Sequence, residues 1–188
     1  LWIITRSDER RDELLSPMQG SRGVVLIVSL VVIQVIMGIF IARTIAEFGR
    51  LDILVNNAAF QSSYEDIQDL PTDDWDRAFK TNVHAMFHLS REALKHLPPG
   101  GAIINTTSIQ SFQPSPQLIH YASTKGAITT FTKAISEAAI KQSVRVNAVA
   151  PGPVWTPLIP ATMPEESVRT FGQDNQMGRP AQPAELAP

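Results

Sequence analysis

Cysteine is absent from this chain. That excludes disulfides, thiolate metal sites and cysteine nucleophiles together. Neither sign of charge dominates, since 16 Lys and Arg stand against 18 Asp and Glu, with a pI near 6.1. Without a basic stripe, nucleic acid is not expected as a partner. No phosphate-binding loop of the Walker type and no Gly-x-Ser-x-Gly nucleophile elbow occur in the sequence. The chain opens Leu1-Trp-Ile-Ile and runs straight into charge from Arg6 to Glu13, so no secretory leader is recognisable. A cytoplasmic location is the expectation from these absences. At 188 residues there is room for one domain with a real core.

What is present centres on Ser108, Tyr121 and Lys125. Ser108 ends the apolar, strand-like run Ala102-Ile-Ile-Asn-Thr-Thr-Ser, and Tyr121 and Lys125 open a helix-like pattern four residues apart. On a helix that spacing puts two side chains on one face, about 6 Å apart along the axis. An ammonium beside a phenol favours the ionised phenol, so the Tyr121 pKa is expected to fall from about 10 toward the working pH. A general acid/base that exchanges a proton with an alcohol oxygen needs that property. A serine hydroxyl nearby can hold a carbonyl or alkoxide oxygen.

From Leu51 onward, strand and helix signals alternate. Leu51–Val55, Gly101–Thr107 and Val144–Ala150 read as strands. Thr72 is expected to cap a helix running to Leu97, where Pro98-Pro99-Gly100 stops it. Tyr121 to Ala139 reads as a second long helix, burying Ala127, Ile128, Phe131, Ala134, Ile135 and Ala138. Strands separated by such helices imply α/β architecture with a parallel, Rossmann-type (doubly wound) sheet, of which the catalytic half is present. Eight of the 14 prolines fall in the last 38 residues, which read as a loop-rich cap over the strand ends. Ligands of such sheets bind outside the carboxyl ends of the strands, where Asn56, Ser108 and Pro151-Gly152 fall.

Five pieces in order carry a family resemblance: Leu51-Asp-Ile-Leu-Val-Asn-Asn-Ala58, Lys80-Thr-Asn82, Asn105-Thr-Thr-Ser108, Tyr121-x-x-x-Lys125 and Arg145-Val-Asn-Ala-Val-Ala-Pro-Gly152. On these, residues 41–188 resemble the short-chain dehydrogenase/reductase family. Ala150–Pro160 followed by Met177-Gly-Arg-Pro180 is similar to its glucose/ribitol-dehydrogenase-like branch. The resemblance implies NAD(P)(H)-dependent hydride transfer between an alcohol, of the polyol or sugar kind, and a carbonyl. It implies Tyr121 as acid/base, Lys125 as its neighbour and holder of the nicotinamide ribose, and Ser108 as the group positioning the substrate oxygen. Asn82 matches the fourth catalytic residue, which holds a water in the proton relay; the bland alternative is a helix Asn bonded to its own backbone. Asn56, Ala58, Tyr121, Lys125, Pro151, Gly152, Val154 and Thr156 are the implied contacts of NAD or NADP. Ala59 stands where the family usually has glycine. The implied partners are a small-molecule alcohol or carbonyl and further copies of the chain.

The i,i+4 pair His84 and His88 has no third metal ligand in view and reads with Glu92 as a solvated or subunit-facing stripe. His120 either lines the substrate mouth or starts the helix. Residues 1–40 do not fit the family pattern: no Thr-Gly-x-x-x-Gly-x-Gly turn occurs there to cradle a pyrophosphate. The chain thus reads as clipped at both ends. Gly23–Ala42 is uncharged, with eleven Val or Ile among its twenty residues. A membrane span, buried strands and a foreign or frame-shifted segment are the three readings, the last preferred because the resemblance begins abruptly near Ile41. Two alternatives to an active reductase follow: an idle fragment without the pyrophosphate cradle, and a reductase tethered to a membrane through residues 24–41.

Overall fold

The computed structural model of the protein describes residues 30–186, with side chains from Met37 onward. Helix α1 (Leu30–Phe48) leads into β1 (Ile53–Asn56). Then come α2 (Thr72–Phe79), a π-helical turn (Lys80–His84) and α3 (Ala85–Ala93). Strand β2 (Ala102–Thr106), α4 (Ile119–Ala139) and β3 (Arg145–Val149) follow, and α5 (Leu158–Thr162) and α6 (Glu165–Thr170) lie in the proline-rich end. Among the described residues the sheet is three-stranded, all parallel, in the order β1-β2-β3. Helices flank it in a Rossmann-like arrangement, as the alternating pattern predicts.

The register is set by the burial pattern. Leu54 and Asn56 share the buried face of β1 and stand opposite Ile103 and Asn105 of β2. Ile41, Leu54, Leu89, Leu97, Ile103, Val144 and Val146 form the heart of the core. α1 packs on α3, and α4 on β3 and α2. Gly101 is required at the head of β2, because a Cβ there would stand 2.9 Å from the Pro98 carbonyl oxygen and 3.2 Å from that of Asp52. Among the described residues β1 and β3 are the edge strands, and Val146 is the one buried side chain of β3.

Several expectations shift. Pro71 occupies the N-cap of α2, and Thr72 is its first helical residue with no capping bond from a side chain. Proline already fixes φ near the helix entry, and Asp73 and Asp74 supply the favourable charge in the first turn. The helix expected to run to Leu97 is interrupted by the π-helical turn and ends at Ala93. On α4 the buried stripe is rotated from the apolar one: Thr124, Lys125, Ile128 and Thr132 are buried, whereas Ala134 and Ala138 are exposed. Polar groups face the sheet because the strands offer them partners, Asn105 Nδ2 donating to Thr132 Oγ1 at 2.9 Å.

Of the uncharged Gly23–Ala42 run, residues 23–29 lie outside the described residues. Leu30–Ala42 is helical, which removes the buried-strand reading there. No described helix is long and apolar enough to cross a membrane.

Replacing Ile103, which has no exposed surface at the centre of the sheet, with Ala is expected to lower unfolding free energy by about 2–5 kcal/mol. Urea denaturation of the two proteins checks this; a loss near zero would mean that β2 is not the core strand.

Candidate active site

Two backbone bonds hold the ends of β2 and β3 together: Thr107 N–H donates to Val149 O and Ile109 N–H to Pro151 O, each at 2.9 Å. Ser108 and the Pro151-Gly152 turn therefore become neighbours. Ser108 caps the short turn Ile109–Ser111, its Oγ accepting from Gln110 N–H at 3.2 Å. A cavity of about 620 Å³ opens over these strand ends, with α4 on one side and the α5 segment on another. Seven of the expected residues line it: Ser108, Tyr121, Lys125, Pro151, Gly152, Val154 and Thr156. Three motifs remote in sequence are thus brought to one wall.

Lys125 is 2% exposed. Its Nζ donates to Thr106 O at 2.7 Å and lies over the Tyr121 ring, 5.2 Å from the centroid. Burial without a carboxylate partner pushes its pKa down to about 8. The same burial raises the Tyr121 pKa above its ordinary value, and the Ser108 hydroxyl pulls the other way. This corrects the expectation of a lowered phenol pKa. Desolvation of the phenolate dominates here, and the ammonium is directed to a strand carbonyl. Burial thus favours the neutral, protonated phenol.

Asn82, Asn56 and Ala58 are not among the lining residues. Asn82 sits in the π-helical turn, 2% exposed, where its side chain bonds another segment instead of its own helix. Its Oδ1 accepts from Phe60 N–H at 2.7 Å, and its Nδ2 donates to Phe60 O and Thr124 Oγ1, each at 2.9 Å. A π turn re-aims a side chain in this way and recurs at functional sites. Asn56 is turned into the core, Nδ2 donating to Asn105 Oδ1 at 2.8 Å and Ser90 Oγ at 3.1 Å. Its neighbour Asn57 lines the cavity, as do Ala59, Gln61 and Gln110. Strict alternation along β1 distinguishes Asn56 from Asn57, a signal available in the sequence. Gln61 has no such signal, because its place depends on a contact with Thr162, 101 residues away.

His88 is buried, not solvated, and burial, then Arg91 and His84, hold its pKa below the ordinary 6.5. No group of three metal ligands occurs among the described residues. His120 is the second residue of α4 and fully buried; burial lowers its pKa, with Asp74 acting against it.

A family model described as short chain dehydrogenase matches residues 1–167. General stress protein 39 of Bacillus subtilis (strain 168) is 54% identical over 145 residues, covering 77% of this chain and 51% of that protein. The glucose and ribitol dehydrogenase of Daucus carota is 46% identical over 145 residues, covering 77% and 50%. Among solved structures, a 3-ketoacyl-(acyl-carrier-protein) reductase from Brucella melitensis complexed with NADH superposes with a TM-score of 0.73. It is 26% identical, and the match covers 82% of this chain and 64% of that one. The chain spans about half the length of the relatives it matches in sequence.

The two depressed histidines set a pH dependence. Each binds its proton less readily folded than unfolded, so the unfolded chain takes up more protons once pH falls below 6.5. Stability is therefore highest above that value and falls as the pH drops; Asp74 and Glu92, also depressed, add a loss of the same sign at lower pH. The urea midpoint is expected to decline from pH 7 to about 5, and less so in a His88→Gln, His120→Gln protein. An equal decline in both would contradict the assignment.

Proposed function

The chain belongs to the short chain dehydrogenase family, and from that premise we propose that it interconverts an alcohol and a carbonyl by hydride transfer with NAD or NADP. The observation that carries this reading is the meeting of Ser108, Tyr121 and Lys125 on one wall of a cavity at the carboxyl ends of the strands. The cavity volume lies within the range of small-molecule sites. A buried ammonium with one oxygen acceptor at 2.7 Å keeps further N–H donors for the hydroxyls of a ribose. The donor set therefore suits the nicotinamide and its ribose, with Lys125 and Tyr121 on one side. Pro151, Gly152, Val154 and Thr156 stand on the other, with Asn56 at the end of β1 and Ala58 two residues beyond it. When bound, the nicotinamide supplies or takes the hydride.

The residues of the chain handle orientation and the proton. In the carbonyl-reducing direction the Tyr121 hydroxyl gives its proton to the substrate oxygen as that oxygen gains charge. Burial, which keeps the phenol protonated, suits this step. The Ser108 hydroxyl donates to the same oxygen and fixes its direction. Lys125, anchored on Thr106 O, lies over the Tyr121 ring and holds the ribose side of the site. Asn82 fastens Phe60 and Thr124 beside this wall, and a part in the proton relay is what the family resemblance implies for it.

The substrate class is a polyol or sugar. Asn57, Gln110, Ser115 and Thr156 along the cavity offer polar partners for several hydroxyls, and the carrot relative is named for glucose and ribitol. α3 and α4 are the proposed contact between copies of the chain. Phe87, 40% exposed, meets Phe131 there edge-on, with ring centroids 6.3 Å apart.

Tyr121→Phe is expected to lower kcat/KM by roughly 10²–10⁴. Steady-state turnover with ribitol and D-glucose, followed by nicotinamide absorbance, checks this. Turnover undiminished in the variant would remove Tyr121 from the chemistry.

A further inference from the structure

The segment between β1 and α2 carries a network that the proposed chemistry does not use. His120 has no exposed surface. Its Nε2 accepts from Ser62 N–H at 3.3 Å and lies 3.0 Å from Ser62 Oγ. Ser62 Oγ donates to Asp74 Oδ2 at 3.0 Å, and the Tyr64 hydroxyl donates to the same oxygen at 2.6 Å. Asp74 thus ties the first turn of α2 to this segment, and His120 ties the first turn of α4 to it.

The residue next to Ser62 extends the chain of contacts across the cavity. Gln61 is 5% exposed, and its Nε2 donates to Thr162 Oγ1 at 2.9 Å. Thr162 closes α5, its hydroxyl also donating to Leu158 O at 2.7 Å. Leu158, Ile159 and Met163 of that segment form the cavity wall. α5 has only five residues, too few to be stable without outside contacts. The part-buried Gln61–Thr162 bond is the side-chain hydrogen bond that joins it to the segment between β1 and α2, and so carries much of its placement.

We propose that His120 and Gln61 are positioning residues that latch α5 over the substrate side of the cavity. His120 fixes the Ser62 peptide, and that fixes the direction of the neighbouring Gln61. The Gln61 amide then holds Thr162 and with it the α5 wall. The nicotinamide side, built from β2, α4 and the Pro151-Gly152 turn, is set by other bonds. The latch therefore acts on substrate affinity more strongly than on cofactor affinity. The consequence for substrate binding rests on the reductase reading; the mechanical link does not.

The test compares wild type with Gln61→Leu, His120→Leu and His120→Gln, whose amide oxygen can take over the Ser62 N–H. Hydrogen exchange is followed at the Ile159 and Met163 amides, which bond Thr156 O and Ile159 O. NADPH binding and the KM for ribitol are measured alongside. Gln61→Leu and His120→Leu are expected to speed exchange at both amides and to raise KM, each by about tenfold or more. NADPH binding should change by less than KM does, and His120→Gln should stay within about threefold of wild type in exchange and KM. Unchanged exchange in Gln61→Leu would overturn the latch, and so would faster exchange with an unchanged KM. Wild type that exchanges as expected but turns over no substrate would sink the reductase reading while the exchange data still decide the latch.

Discussion

A lysine ammonium enclosed by protein must find oxygen, and Lys125 finds it on the sheet. Nearly all of its surface is covered, and its Nζ reaches the Thr106 carbonyl at 2.7 Å. Thr106 is the last residue of β2, where that carbonyl has no further strand residue to serve. One bond thus satisfies a donor that is costly to bury and an acceptor at a strand end. It also fixes the rotation of α4. With Lys125 turned toward β2, Tyr121 one turn earlier must stand over the same strand end, beside Ser108. Thr107 strengthens the seam, its hydroxyl donating to Lys125 O at 2.9 Å. The geometry of the candidate site and the packing of the helix are one constraint here.

That constraint explains why an apolar-stripe reading of α4 misplaces its buried face. Ala134 and Ala138 are small and apolar, yet they are exposed, whereas Lys125 and Thr132 are buried. Hydrophobic periodicity finds the face that oil would choose. This helix buries polar groups because the strand ends and Asn105 complete their hydrogen bonds. Toward β1, Asn56 Nδ2 donates to Ser90 Oγ and Asn105 Oδ1 in a buried polar run. A polar seam of this kind fixes the register of the elements it joins, since any slip leaves a buried group without a partner.

The three strands, the long helix at α4 and the junction of Ser108, Tyr121 and Lys125 were legible in the sequence because local pattern and motif spacing both carry them. The π-helical turn at Lys80–His84 was not, since its residues have ordinary helical propensities and only the bonds from Asn82 to Phe60 reveal its purpose. Thr72 was a reasonable cap by residue type, but Pro71 before it takes the cap position with its fixed φ. Asn56 and Asn57 are separable by strand alternation, yet a motif read as a unit hides which of the two faces the cavity. Gln61 and Thr162 lie beyond any local rule, because a contact across 101 residues leaves no trace in either neighbourhood.

The central claim is that Lys125, held on β2, presents its remaining donors to a nicotinamide ribose. Titration of the whole chain with NADH and NADPH, followed by nicotinamide fluorescence in wild type and Lys125→Met, tests it most directly. The account predicts saturable binding of at least one of the two in the micromolar range, weakened by about tenfold or more in a variant that remains folded. Binding of neither by the wild type, or equal binding by both proteins, would contradict it.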